Sequence, residues 1–81
     1  MLEHVQEPIN VIVSFSDNTV KPRRFLWRGR EYIVLKVTLI HKERKGRDMN
    51  YFFSVTDGIN FFRLLFSTNT LQWTLEDMYT D

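Results

Sequence analysis

The 81 residues carry 11 basic and 10 acidic side chains, a formal net charge of +1, with 43% apolar residues, 15% aromatics and no cysteine. A chain of this length forms one domain, and a domain this small buries only about 60–65% of the surface its unfolded form exposes, so its core must be dense in large side chains. The lack of cysteine excludes disulfides, thiolate zinc sites and cysteine nucleophiles, and no apolar run nears the roughly 18–20 residues of a membrane helix.

Seven Phe, three Tyr and two Trp supply the large side chains, each buried ring removing roughly 150–250 Å² from water. No basic and apolar leader opens the sequence. A soluble cytoplasmic protein is expected, with no membrane partner, no cofactor and no small-molecule substrate. The charge is unevenly spread. Residues 20–47 hold ten basic side chains against Glu31 and Glu43, a net of +8, whereas the remainder sets Arg63 against eight acids, a net of −7. Such an asymmetry predicts a polar surface field.

Met1 to Glu7 has no periodic pattern and is expected to be a flexible lead-in, the single β domain running from residue 8 to 81. After Pro8, Ile9, Val11, Val13 and Phe15 alternate with Asn10, Ile12 and Ser14, the period-2 signature of a half-buried strand. Ser16-Asp17-Asn18 is turn chemistry, since short polar side chains bond their own backbone.

Pro22 cannot donate to a sheet ladder and belongs at a strand start or a sheet edge. Gly29 offers the positive φ of a tight hairpin. A two-residue turn at Arg28-Gly29 pairs Trp27 with Arg30, Phe25 with Tyr32 and Arg23 with Val34, which assigns Phe25, Trp27 and Tyr32 to a core face. The next strand changes phase between Tyr32/Val34 and Val37/Leu39. That slip predicts a β-bulge near Leu35-Lys36, or a strand coiling from one core surface to another, as a small closed or nearly closed sheet requires. Lys42 to Asp48 is charged and lacks apolar anchors, which predicts a mobile loop.

Met49 to Thr56 reads as the fourth strand, and Asp57-Gly58 signals a type I′ hairpin. A two-residue loop there puts Phe53 opposite Phe62 and Tyr51 opposite Leu64. A four-residue loop Ser67–Thr70 then sets Phe66 opposite Leu71, Leu64 opposite Trp73 and Phe62 opposite Leu75. The last strand extends to about Tyr79. The expected fold is all-β: a six-strand antiparallel meander forming a strongly coiled sheet or small barrel.

Catalytic chemistry has little to use. His4 and His41 are far apart, and a metal site needs several convergent ligands. Glu76 and Asp77 alternate across a strand and face opposite ways, and neither a nucleophile elbow nor a phosphate loop is present. No enzyme is expected. The basic region is the candidate site. Arginine forks onto phosphates, and nearby aromatic rings offer stacking surfaces. Arg23, Arg24, Arg28 and Arg30 on the hairpin, with Lys42, Arg44, Lys45 and Arg47 in the charged loop, point to a binding module for DNA or RNA. The alternative is a protein-interaction or homodimerisation module. Phe52, Phe61 and Leu65 lie opposite in phase to the core stripe, so either the sheet closes on itself or a partner covers them.

The run Pro22-Arg23-Arg24-Phe25-Leu26-Trp27-Arg28-Gly29-Arg30-Glu31-Tyr32-Ile33-Val34, with Phe62-Arg63-Leu64 and Trp73-Thr74-Leu75 further on, resembles a bacterial family of small uncharacterised β domains. Its pattern is Pro-Arg-x-Phe-x-Trp-Arg-Gly-Arg-x-Tyr-x-Val, and the likeness covers roughly residues 9 to 79. Such domains also occur appended to proteins that look like lesion-bypass DNA polymerases. The resemblance therefore implies a DNA-repair context for some relatives, with no established activity and no assigned site residues. This chain departs from the family in holding Ile40-His41 where a Trp ends the long strand, and Asp57-Gly58-Ile59 in place of a Gly-rich turn.

Overall fold

Turn chemistry sets most of the strand boundaries. The computed structural model describes residues 1–80 as β1 (Leu2–Ser16), β2 (Thr19–Trp27), β3 (Arg30–Ile33), β4 (Lys36–Lys45), β5 (Asp48–Thr56), β6 (Phe61–Ser67) and β7 (Trp73–Tyr79). All seven join one antiparallel sheet in the order β3-β2-β1-β7-β6-β5-β4. The all-β antiparallel class agrees with expectation. The count is seven strands rather than six, and the first and last strands pair in the middle of the sheet, so the order is not a simple meander. Nor is the sheet a closed barrel.

Residues 1–7, expected as a lead-in, mostly belong to β1, where Leu2 pairs with Tyr79, His4 with Asp77 and Glu7 with Leu75. The pairing skips between His4 and Glu7, where Gln6 takes φ 53°. This irregularity breaks the alternation, which is why the segment carries no strand signature. Alternation holds inward from Ile9 to Val13, but Phe15, although in phase, is 75% exposed because β1 outruns the core.

The β1–β2 turn is Asp17-Asn18, with φ 52° and 61°, and the β2–β3 turn is Arg28-Gly29, with φ 52° and 75°. Two positive φ values in a two-residue loop match the twist of the flanking strands. The predicted β2–β3 register is present: Phe25 faces Tyr32 and Trp27 faces Arg30.

The predicted Asp57-Gly58 two-residue turn is not formed. The loop spans residues 57–60, Thr56 pairs with Phe61, and Phe53 faces Leu64 rather than Phe62. The cause is the Asp57 carboxylate, which accepts the N–H groups of Ile59 at 2.9 Å and Asn60 at 2.7 Å. The second loop shifts likewise: Phe66 faces Trp73 and Leu64 faces Leu75, while Leu71 turns outward at φ 61°. Both slips are by two residues, so the facing side chains up to Leu75 keep their faces; beyond the irregularity after Leu75 the phase flips, and Tyr79 pairs with Phe61 on the outer face. Of the predicted stripe of Tyr51, Phe53, Phe62, Leu64, Phe66, Leu71, Trp73 and Leu75, all but the exposed Leu71 are buried or half-buried.

The sheet's curvature follows from one short link. β3 and β4 lie at opposite ends of the strand order, yet only Val34 and Leu35 separate them. Three virtual bonds span at most about 11 Å, so the two edges must meet there. Val34 N–H bonds the Arg23 carbonyl and Leu35 N–H bonds the Thr56 carbonyl, both at 2.9 Å. Residues 30–45 thus act as one bent strand that leaves β2 and joins β5, with a further irregularity between Val37 and Leu39. The slip expected near Leu35-Lys36 is realised as this handover. The rings of Phe25 on β2 and Phe62 on β6 touch across the interior, 5.1 Å apart. Curvature alone brings together strands separated by β1 and β7.

Candidate functional site

The sheet has a closed end and an open end. The Val34-Leu35 link, the Arg28-Gly29 turn, the 57–60 loop and the described chain ends lie toward the first. The Asp17-Asn18 turn, the Gly46-Arg47 turn and the β6–β7 loop lie toward the second. The eight predicted basic residues are therefore not one patch: Arg24, Arg28 and Arg30 sit toward the closed end and Arg44, Lys45 and Arg47 at the open-end hairpin of a molecule 36 Å long, with Arg23 and Lys42 between them. Nor is 42–48 a loop. Lys42 pairs with Tyr51, Arg44 with Met49 and Lys45 with Asp48, leaving only Gly46-Arg47 as the turn.

Three of the four hairpin arginines, Arg24, Arg28 and Arg30, have internal partners. Arg24 Nη1 lies 3.5 Å from Glu31 Oε1, with both side chains about half exposed, an arrangement worth little in water. Arg28 forks onto Glu7, Nη2 to Oε2 at 2.6 Å and Nε to Oε1 at 3.1 Å. The indole N–H of Trp27 donates to the same Oε1 at 2.8 Å. The Arg28 hydrogen bond, then that of Trp27, holds the Glu7 carboxyl below its ordinary value. Arg28 also sits 4.7 Å over the Trp27 ring, and Arg30 sits 5.3 Å over the Tyr32 ring. Trp27 and Arg28, through Glu7, strap the hairpin to β1.

A different set of cations lines the place where the sheet stays open. Beyond Arg23, the outer edge of β2 has no neighbouring strand, and neither does the outer edge of β4. Between the two runs a groove of about 660 Å³, bounded by residues 19–23 and 34–40. Lys21, Arg23 and Lys36 line it, together with the apolar Val20, Pro22, Val37 and Ile40. Pro22 is fully buried, and next to it the β1–β2 register skips, leaving Arg23 without a partner on β1. Toward the open end the groove runs into a second cavity of about 380 Å³, with which it shares Thr19, Val20 and Ile40. That cavity is lined by Tyr51, Phe53 and Phe66 on one side, Asn18 to Val20 on the other, and Lys42. No acid lines either part of this seam. Among the described residues, Lys21, Arg23, Lys36, Lys42, Arg44, Lys45 and Arg47 form no ion pair.

Sequence reasoning named Arg23 and Lys42 but missed Lys21, Lys36, Tyr51 and Phe66. Pro22 was the available signal, since a mid-strand proline marks a free edge and its neighbours then flank that edge. His4 Nδ1 lies 2.6 Å from Asp77 Oδ1, and no group of three metal-ligating side chains occurs among the described residues. No helix is long and apolar enough to cross a membrane.

These features define a small all-β domain built on a curled antiparallel sheet that fails to close along one basic seam. The chain belongs to the family described as a domain of unknown function, DUF6504, which matches residues 1–80. No curated protein and no solved structure matches it.

Proposed function

We propose that this domain is a non-enzymatic binding module whose open seam takes a nucleic-acid strand. The carrying observation is the seam itself, a groove lined by Lys21, Arg23, Lys36 and Lys42, with no acid among its lining residues and with none of those cations held in an ion pair among the described residues. Cations outside any ion pair in an apolar-floored groove suit a polyanion, which gains contacts and releases counterions. The tip of the β4–β5 hairpin, with Arg44, Lys45 and Arg47, extends the positive surface at the open end. The hairpin arginines 24 and 28 play no part in this reading, being engaged by Glu31 and Glu7. The likeness to domains appended to lesion-bypass-polymerase-like proteins is consistent with a strand of DNA as the ligand.

Binding of a labelled oligothymidine, followed by fluorescence anisotropy, tests it. Four phosphate contacts predict a salt slope near −3, a loss of roughly 50-fold between about 50 and 200 mM salt. Charge reversal of Lys21 and Lys36 together weakens binding at least tenfold, while Arg24→Ala leaves it unchanged. No binding at low salt sinks the reading.

One observation favours a second reading, self-association through the outer face. Leu2, Tyr79 and Phe61 stand in one cross-strand row on three adjacent strands, exposed by 54%, 48% and 51%. Light scattering that returns a monomer at millimolar concentration removes it.

A further inference from the structure

The cavity at the open end differs from the rest of the seam. The groove between β2 and β4 is flanked by cations and aliphatic groups, whereas the cavity above it is walled by rings. Tyr51 and Phe53 are stacked with centroids 6.4 Å apart and planes at 25°, and Phe66 packs on Trp73 at 4.8 Å. Tyr51 and Phe66 are only half-buried, so the wall they contribute keeps accessible ring surface. The facing wall is Asn18 and the start of β2, fixed by positive φ at Asn18 and by the Thr19 hydroxyl donating to the Ser16 carbonyl at 2.7 Å. The result is a slot between rings and backbone. Lys42 Nζ stands 5.9 Å from the Tyr51 ring centroid, a cation on a flexible stem that can turn to a phosphate.

We infer that this slot receives one unpaired nucleobase of the strand lying in the seam, stacked on the Tyr51 and Phe66 wall, so that the domain selects single-stranded over duplex nucleic acid. The inference rests on the seam reading and adds a requirement to it. A polyanion alone needs only the groove cations. A base in the slot needs a ring face free of its own stack, which a base inside a duplex does not offer. Every base has a π-face, so the selection is for strandedness rather than sequence. The slot is apolar on its ring side, as pockets for planar ligands are, and continuous with the cationic groove through Thr19, Val20 and Ile40. A base and its own phosphates thus reach their partners together.

The test compares three probes of equal length on the same protein: oligothymidine, a strand of abasic nucleotides with the same phosphates, and a duplex. Oligothymidine is expected to bind about tenfold more tightly than the abasic strand, the loss typical of one stacked base, with the same salt slope. Tyr51→Leu, which keeps an apolar side chain but removes the ring, brings oligothymidine down to the abasic level and leaves abasic binding unchanged. Phe66→Leu gives the same pattern, a second route should Tyr51→Leu fail to fold. Abasic or duplex probes that bind as tightly as oligothymidine overturn the inference and assign the slot to another occupant, such as an apolar side chain of a protein partner. Failure of all three probes to bind at low salt overturns the seam reading instead.

Discussion

At the scale of single residues, two carboxylates pull stability in opposite directions with pH. Glu7 is held below its ordinary value by Arg28 and then Trp27. A depressed carboxyl stabilises the fold above its unfolded value and loses that contribution as pH falls through its folded one. Glu76 falls at an irregularity of β7, between Leu75 opposite Leu64 and Asp77 opposite Arg63. Burial, then the neighbouring Asp77, raises it above the usual 4.5. Here the native state holds the proton more tightly, so stability declines as pH rises through the window above 4.5. Thermal melts should therefore show Glu7→Gln below the parent protein at about pH 7, with the gap closing as pH falls below the usual 4.5, and Glu76→Gln above the parent at about pH 7, with its advantage lost as pH falls to the usual 4.5 and below. Neither residue's role was legible in the sequence. Glu7 carries no strand signature because its partners Trp27 and Arg28 come from another strand, and Glu76 looks like one of an alternating pair because a bulge leaves no mark in composition.

At the scale of elements, the turns decide how much could be read. Arg28-Gly29 gave the right register because nothing competes with its backbone. Asp57-Gly58 did not, because the Asp57 side chain bonds two N–H groups of its own loop and stabilises a longer connection. Gly58 still needs its freedom, at φ 99°, and a Cβ there would stand 2.9 Å from Leu35 Cδ1. That clash is the smaller problem, since Leu35 is 69% exposed and its side chain can swing away, whereas the backbone angle cannot relax. Gly58→Ala should cost about 1–2 kcal/mol in urea unfolding, and Leu35→Ala should not rescue it, the coupling staying within about 0.5 kcal/mol. A rescue would show that packing, not backbone strain, holds the loop. In the core stripe, Trp73 packs between Phe53 and Phe66, and Trp73→Ala should cost about 3–5 kcal/mol. Apart from Leu71, which the longer β6–β7 loop turns outward, this stripe was legible, because a two-residue register slip leaves facing side chains on the same surface.

At the scale of the molecule, the charge density around residues 20–47 was legible, but the site was not. Which cations meet depends on where the sheet curls shut, and a two-residue link between opposite edges decides that. The link also makes the fold sensitive to where the chain is cut. A circular permutant joined through its ends and opened at Gly46-Arg47 should keep cooperative unfolding. One opened at Val34-Leu35 should lose it, because the sheet edges are then no longer tethered; equal midpoints would contradict this account of the curvature. The pairing of the first strand with the last has a consequence in time. His4 meets Asp77 across 73 positions of sequence, whereas the β4–β7 run forms by adjacent hairpins. Closing so long a loop comes before its contacts can reward it, which places folding in the millisecond-to-second range of non-local β topologies. The local hairpins are expected to form first and the pairing of β1 with β7 to limit the rate. Leu75→Ala, which destabilises the β1–β7 ladder, should then slow stopped-flow refolding, and a nearly unchanged folding rate would show this expectation to be wrong.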